Sequence, residues 1–399
     1  MTKAGKSMAT PKLRFPEFRG GSAWNKQRLG DISNVKASGD LDSKLFSETQ
    51  SGSFSYPVYS NAVECNGLYG YYSVPQYCKD SVTITARGTL GVAFHRDHDF
   101  MGIGRLLVVS NIQNLNSYFL AECWNHLIVI PYEVTSIPQL TAIAARAIVL
   151  PIPSIEEQTK IADCLTSLDE VIAAQGRKVE ALKTYKRGLM QQFFPREGET
   201  IPRLRFPEFR DAPEWRKAKA GELFANRSEK GNDDLPIYSV TMTDGLVKRS
   251  SLDRRIDDIT NAEGNKKTYK HDIAYNMMRM WQGACGVAYE ECMVSPAYVV
   301  LSPQAGVHSD FYGYLFKLPQ MLRIFTSHSR GLTEDRLRLY YQDFCNILLP
   351  HPDICEQQRI ADCFHSLNTK ITAESEKFDA LKTHKKGLMQ QLFPSTDVD

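Results

Sequence analysis

From Ile161 the apolar positions recur in alternating steps of four and three residues: Ile161, Leu165, Leu168, Ile172, Val179, Leu182 and Leu189, with Gln175 and Lys186 in the two remaining slots. That spacing draws one stripe along an α-helix and predicts a coiled-coil seam. The stripe returns later as Ile360, Phe364, Leu367, Ile371, Glu374, Phe378, Leu381, Lys385 and Leu388, with polar interruptions at the same two places. A polar seam residue such as Gln175 or Glu374 fixes register at some cost in stability, or marks a point where the seam frays into solvent. Both helices are predicted to start alike. "PIPSIEEQ" and "PHPDICEQ" supply a preceding proline, a capping Ser154 or Asp353, and Glu157 or Glu356 three residues on to complete a capping box. Each is predicted to stop by Pro195 or Pro394, because proline lacks the amide hydrogen a helix needs.

The two helical stretches are copies. Residues 155–195 and 354–394 agree without gaps at 24 of 41 positions, at a constant offset of 199. Upstream, "PKLRFPEFRGGSAWNKQRLGDI" from Pro11 matches "PRLRFPEFRDAPEWRKAKAGEL" from Pro202, with Trp24 answering Trp215 and Gly30 answering Gly221. Between these echoes the likeness thins but keeps its order. "YPVYS" from Tyr56 resembles "LPIYS" from Leu235, "GTLGVAF" from Gly88 resembles "GACGVAY" from Gly283, and "IGRLLVVS" from Ile103 answers "SPAYVVLS" from Ser295. An internal repeat whose offsets drift this way describes one fold whose loops have diverged.

The expected fold class is therefore α+β: two mixed α/β domains separated by two long antiparallel coiled-coil helices, in a pseudo-twofold internal repeat. Expected boundaries are 1–152 for the first variable domain, 153–195 for the central helix, 196–351 for the second variable domain, 352–394 for the distal helix and 395–399 for a tail. If the second domain's termini lie close together, as domain termini often do, the second helix runs back along the first and the variable domains sit at opposite ends of a two-helix rod.

Composition narrows the class. The chain has 399 residues, 42% hydrophobic and 24% charged, which suits a soluble globular protein of more than one domain. No apolar run is long enough to span a bilayer, and "MTKAGKSMATPKLRF" lacks the apolar core of a signal peptide, so a cytoplasmic location and no membrane partner are expected. The nine cysteines include no CxxC pair, which reads as reduced thiols and no metal site. A net charge of +2 neither requires nor excludes nucleic acid; a DNA surface would have to come from local clustering.

The order "RFPEFR...W", a variable region, "LPIPSIEEQTKIADCL", "GLMQQFFP", and then the whole again, resembles the specificity subunit of type I restriction-modification enzymes. The resemblance covers essentially the whole chain. It implies that the variable regions are target recognition domains, each reading one half of an asymmetric, bipartite double-stranded DNA sequence. It also implies partners: two methyltransferase (modification) subunits that carry S-adenosylmethionine and methylate adenine, and restriction/translocase subunits that use ATP and Mg2+. The chain itself is then non-catalytic and without a cofactor. A rod that separates two readers sets the gap in the target, and one helical turn of about 5.4 Å corresponds to between one and two base pairs.

Candidate DNA contacts come from local chemistry. "TARGTLGVAFHRDH" places Arg87 among glycines and follows it with His95, Arg96 and His98. Glycine allows close backbone approach and arginine can bond two acceptors on guanine; a turn with ordinary surface charge is the alternative. "SNAVECNGLYGYYS" adds Asn61 and Asn66 beside Tyr69, Tyr71 and Tyr72, tyrosines that more commonly pack against strands. In the second domain, "NAEGNKKTYK" gathers Lys266, Lys267 and Lys270 beside Asn265, suited to phosphate or simply a solvated basic loop. "YNMMRMWQGACG" places Asn276, Arg279 and Gln282 in the region that answers Arg87. Met190, Phe194, Met389 and Phe393 in the repeated "GLMQQ.FP" tails are candidates for partner binding, and the "FPEF" segments (Phe15, Phe18, Phe206, Phe209) either cover a partner or, more commonly, pack in the core near the helix ends.

An enzyme is the rival class. "FMGIG" from Phe100 resembles the FxGxG loop of adenine methyltransferases, but no NPP[YF] motif follows to hold a flipped adenine, and there is no GxxxxGK[ST] phosphate loop. "HRDH" from His95 offers metal ligands without a convincing third. A coiled-coil adaptor that binds only protein would account for the helices but not for two elaborate domains.

Overall fold

The computed structural model describes residues 10–112, 114–130, 139–232, 234–252, 264–333 and 336–395. Residues 1–9 of the expected first domain and 396–399 of the expected tail lie outside the described residues. The chain divides into two units, one of residues 1–176 with 376–399 and one of residues 177–375.

In the first unit, β1 (Asn25–Arg28) pairs antiparallel with β10 (Val149–Ile152) beside short helices α1 (Leu29–Ile32) and α3 (Ala142–Ala147). An antiparallel sheet runs in the order β2 (Asn34–Ala37), β9 (Leu107–Ser110), β6 (Ser81–Ile84), β7 (Ala93–Arg96). A second runs β3 (Phe46–Ser47), β5 (Leu68–Tyr72), β4 (Tyr56–Tyr59), β8 (Met101–Gly102), and its last pair is parallel. Leu107, Val108 and Val109 are buried on both faces of β9, which is why that segment reads as a continuous apolar run rather than an alternating one. Helix α2 (Ser117–Leu127) is capped by Asn116, whose side chain accepts from the Phe119 amide.

The second unit repeats this plan except at one sheet edge. β11 (Arg216–Lys219) pairs with β20 (Leu348–His351); one sheet runs β12 (Phe224–Arg227), β19 (Tyr298–Pro303), β16 (Ile273–Asn276), β17 (Cys285–Val287). The other runs β14 (Leu246–Lys248), β13 (Ile237–Val240), β18 (Cys292–Val294), β15 (Lys266–Thr268), with β13 and β18 parallel. Here β15 pairs with β18, and among the described residues no strand answers β3. Helices α5 (Ala220–Leu223), α6 (Ser309–Leu315), α7 (Pro319–His328) and α8 (Tyr341–Phe344) complete it. The faint likeness of "YPVYS" to "LPIYS" is thus one strand seen twice: Val58 of β4 lies opposite Met101, and Ile237 of β13 opposite Met293.

Two 39-residue helices, α4 (Ile155–Phe193) and α9 (Ile354–Leu392), contribute to both units. In the first unit Lys385 bonds Asp169 at 2.8 Å, and Phe378 lies beside Gly176; numbers rise along one helix as they fall along the other, so the segments are antiparallel. In the second, Lys178 pairs with Glu374 at 2.5 Å, and Phe193 meets Phe364 at 6.0 Å, in the same antiparallel sense. Every predicted seam position from Ile161 to Leu189 and from Ile360 to Leu388 is buried or half-buried, Gln175 and Glu374 included. Glu374 meets a lysine there instead of fraying into water.

The helix starts differ from the predicted capping box, and Asp353 accepts the Cys355 amide at 2.8 Å instead of the Glu356 amide. Ser154 Oγ does accept the Glu157 amide at 3.4 Å, but the Glu157 carboxylate turns to Arg14 of the "RFPEF" segment, at 2.8 Å from Nε and 2.5 Å from Nη2. Glu356 does the same with Arg205, at 2.8 and 2.6 Å, and also accepts the Trp215 indole N–H at 3.1 Å. A buried arginine demands a carboxylate more strongly than an amide at a helix start does, so the ion pair wins. The next residue is a second fastener. Gln158 accepts from the Asn116 amide and donates to the carbonyls of Asn114 and Pro153, while Gln357 accepts from the His308 amide and donates to those of Gly306 and Pro352.

Candidate nucleic-acid interface

Each unit builds its surface on the loops that follow the strands of its two sheets. In the first unit, Asn61 follows β4 and ties two neighbouring loops together. Its Oδ1 accepts the Ala86 amide at 2.7 Å and its Nδ2 donates to the Gly104 carbonyl at 2.7 Å. Arg87 and Arg105, each one residue beyond those anchor points, are exposed on loops held side by side. Arg105 adopts φ +65°, a left-handed turn uncommon for arginine. It is a candidate that sequence reasoning passed over: the "FMGIG" stretch set aside as a methyltransferase decoy ends at the residue before it.

The structure redistributes the other first-unit candidates. Asn61 spends its side chain on the two loops and braces them against each other. Arg96 is buried, 3% exposed; it bonds Thr83 Oγ1 at 2.9 Å and the Asn66 carbonyl at 2.8 Å and stacks 3.4 Å over the Tyr59 ring. Burial lowers its pKa to about 10. It is a correction to the expected surface: Arg96 packs on Tyr59 inside the unit and is not exposed. His95 is half-buried against Tyr118, and burial lowers its pKa. His98 remains exposed, linked to the Tyr59 hydroxyl at 2.8 Å and to Asp97 at 2.6 Å. Asn66 is exposed in the left-handed region at φ +54°. Among the described residues no group of three or more His, Cys, Asp or Glu is placed to hold a metal ion.

In the second unit Asn265, Asn276 and Arg279, separate in sequence, line one cleft of about 590 Å3 together with Arg249, Tyr298 and residues 237–243. Asn265 is buried, so it shapes the wall instead of presenting itself, another correction. Lys266 donates to the Tyr298 carbonyl at 2.6 Å, and burial lowers its pKa. Lys267 lies 4.2 Å over the Tyr269 ring and 3.3 Å from Glu291. Lys270, Arg279 and Gln282 are exposed. Arg249 went unremarked in the sequence because "VKRSS" carries no glycine or amide cluster; only the fold brings it to the cleft.

The repeated tail phenylalanines are not available to a partner, contrary to expectation. Phe393 packs with Trp24 and Phe119, with ring centroids 6.3 and 5.5 Å away; Phe194 packs with Trp215 and Phe311 at 6.3 and 5.2 Å. Both are essentially inaccessible, because each fills the joint between its helix end and its sheet domain. Met190 and Met389 pack half-buried against the same cores. Of the "FPEF" residues, Phe206 stacks on Phe193 at 4.7 Å. No helix among the described residues is long and apolar enough to cross a membrane.

Residues 21–184 match the family model described as the type I restriction modification DNA specificity domain. Two putative type I specificity subunits of Mycoplasma pneumoniae are each 25% identical, one over 161 residues (40% of this chain, 44% of the relative) and one over 155 (37% and 46%). The chain therefore spans about half the length of the curated relatives it matches. Among solved structures, the S subunit of a type I restriction-modification system from M. genitalium shares the fold at a TM-score of 0.62. The alignment covers 97% of this chain and all of that one at 14% identity. A structure described as the basis of complex assembly and conformational transition of the type I R-M system aligns at 0.54, over 93% and 98%, at 17% identity. The chain is similar to type I specificity subunits in sequence motif and in fold.

Proposed function

We propose that this chain is the sequence-specific DNA-recognition subunit of a type I restriction-modification complex, without catalytic activity of its own. Each sheet domain reads one half of an asymmetric, bipartite duplex target, and the paired helices hold the readers at a set separation and scaffold two modification subunits. S-adenosylmethionine belongs to those subunits, and ATP and Mg2+ to the restriction subunits that join them in the cytoplasm. The reading rests chiefly on one observation. The two units share the strand order of one four-stranded sheet, the ion pair and the aromatic joint, yet their loops carry different chemistry: exposed Asn66, Arg87, His98 and Arg105 in one, exposed Lys270, Arg279 and Gln282 with half-buried Arg249 in the other. A duplicated scaffold with unlike faces suits a site with two unlike halves.

Mapping methylated adenines across the genome with and without the gene tests the proposal. One bipartite motif with a fixed gap should vanish on deletion. An unchanged methylation pattern in cells that make the intact complex would refute it.

A further inference from the structure

The cleft in residues 177–375 is distinguished by the chemistry of its lining. Among the described residues, its lining includes two arginines and two asparagines and no aspartate or glutamate. Arg249 is half-buried and Arg279 exposed, and neither guanidinium makes a hydrogen bond or ion pair with any described residue. That is unlike the other partly covered arginines here: Arg14, Arg205 and Arg227 each hold a carboxylate. Asn276 Oδ1 accepts the Met278 amide at 3.0 Å, which fixes the amide so that its NH2 group is the end left to bond. Among the described residues the cleft therefore offers positive charge and donors to whatever enters it, with no carboxylate in its lining to compete.

The opening has an identifiable origin. Both parallel pairs have the same register, Val58 opposite Met101 and Ile237 opposite Met293, so Val240 stands where the first unit has Asn61. Asn61 bonds two loops at once; a valine has no group that could do so, and Val240 lines the cleft instead.

We propose that this cleft binds a phosphate group through Arg249, Arg279 and the Asn276 amide. Resting on the DNA-recognition reading above, the phosphate is a backbone phosphodiester of the target duplex. The half of the target read by the second unit is then anchored by a clamped phosphate, while the first unit, its loops braced by Asn61, reads its half without an equivalent clamp.

The test uses the full chain assembled with its modification subunits and a duplex bearing the motif found by methylation mapping. Single methylphosphonates, which remove one backbone charge, are walked along both half-sites and affinity is measured for the native complex and for Arg279→Gln and Arg249→Gln. One position in the second half-site should weaken native binding on the order of tenfold, with little further loss in the variants. The slope of log K against log salt should fall by about one in each variant. A second arm adds ATP or inorganic phosphate to the DNA-free chain and follows its melting temperature. A rise that needs Arg279, with no methylphosphonate coupling, would keep the phosphate site and assign it to a free nucleotide. No coupling and no such rise would overturn the proposal, while motif-specific binding by the native complex would leave the recognition role standing.

Discussion

Removing the Glu356 carboxylate is expected to damage the second unit more than removing Glu157 damages the first. Both glutamates are nearly inaccessible, at 2% and 3% side-chain exposure, opposite arginines at 7% and 10%. Truncating either to alanine leaves a buried guanidinium without its counter-charge, a loss of about 3–5 kcal/mol. The two sites differ in one bond. Glu356 also accepts the Trp215 indole N–H at 3.1 Å, whereas the Trp24 indole nitrogen is buried without a hydrogen-bond partner among the described residues. E356A strands that donor as well, at about 1–3 kcal/mol more; E157A changes nothing for Trp24. For a unit of some 200 residues each kcal/mol is worth about 2–4 °C, so calorimetric unfolding of the full chain should show E356A melting several degrees below E157A. The double variant R205M/E356L, which removes both charges, should recover at least about 2 kcal/mol relative to E356A. Equal losses for E356A and E157A, or a double variant no better than the single, would refute the assignment of the pair and of the indole bond.

Lys186 occupies a seam position of α4 with Tyr314 and Lys317 as its neighbours and no carboxylate partner among the described residues, and burial, followed by Lys317, lowers its pKa. A lysine depressed in the folded state costs stability while protonated. K186M should therefore stabilise the second unit at pH 7 by on the order of 0.5–1 kcal/mol, since solvent still reaches the ammonium. That gain should shrink as pH rises toward the ordinary lysine value of 10.5, where the native chain also sheds the charge in the unfolded state; urea titrations across pH 7–10.5 check the sign. G286A should destabilise the same unit by about 1–3 kcal/mol or more, because a Cβ there would lie 2.2 Å from the Leu246 amide nitrogen. Proteolysis of the exposed segment around residues 243–250 should accelerate in that variant.

The helices were legible because heptad spacing and capping residues are local signals, and the duplication because offset 199 is held over 41 residues. The sheets were legible only as faint echoes, yet "YPVYS" and "LPIYS" proved to occupy equivalent registers. Failures arose where one residue type serves opposite ends. Arg96 and Arg87 look alike in "TARGTLGVAFHR", but the alternation of β7 turns Arg96 inward under Tyr59. Asn61 looked like an exposed amide and turns out to brace two loops, 25 and 43 residues away, which no local signal announces. The tail phenylalanines looked like exposed docking points because nothing local announces that Trp24 or Trp215 arrives to cover them.

Gln158 and Gln357 fasten each sheet domain to its helix through main-chain atoms alone, apart from the adjacent His351. A clasp that grips only peptide groups is blind to which side chains those peptides carry. Substitutions can accumulate across the exposed loops without loosening the joint, so a lineage can vary its loop surface while keeping the frame on which the loops are mounted.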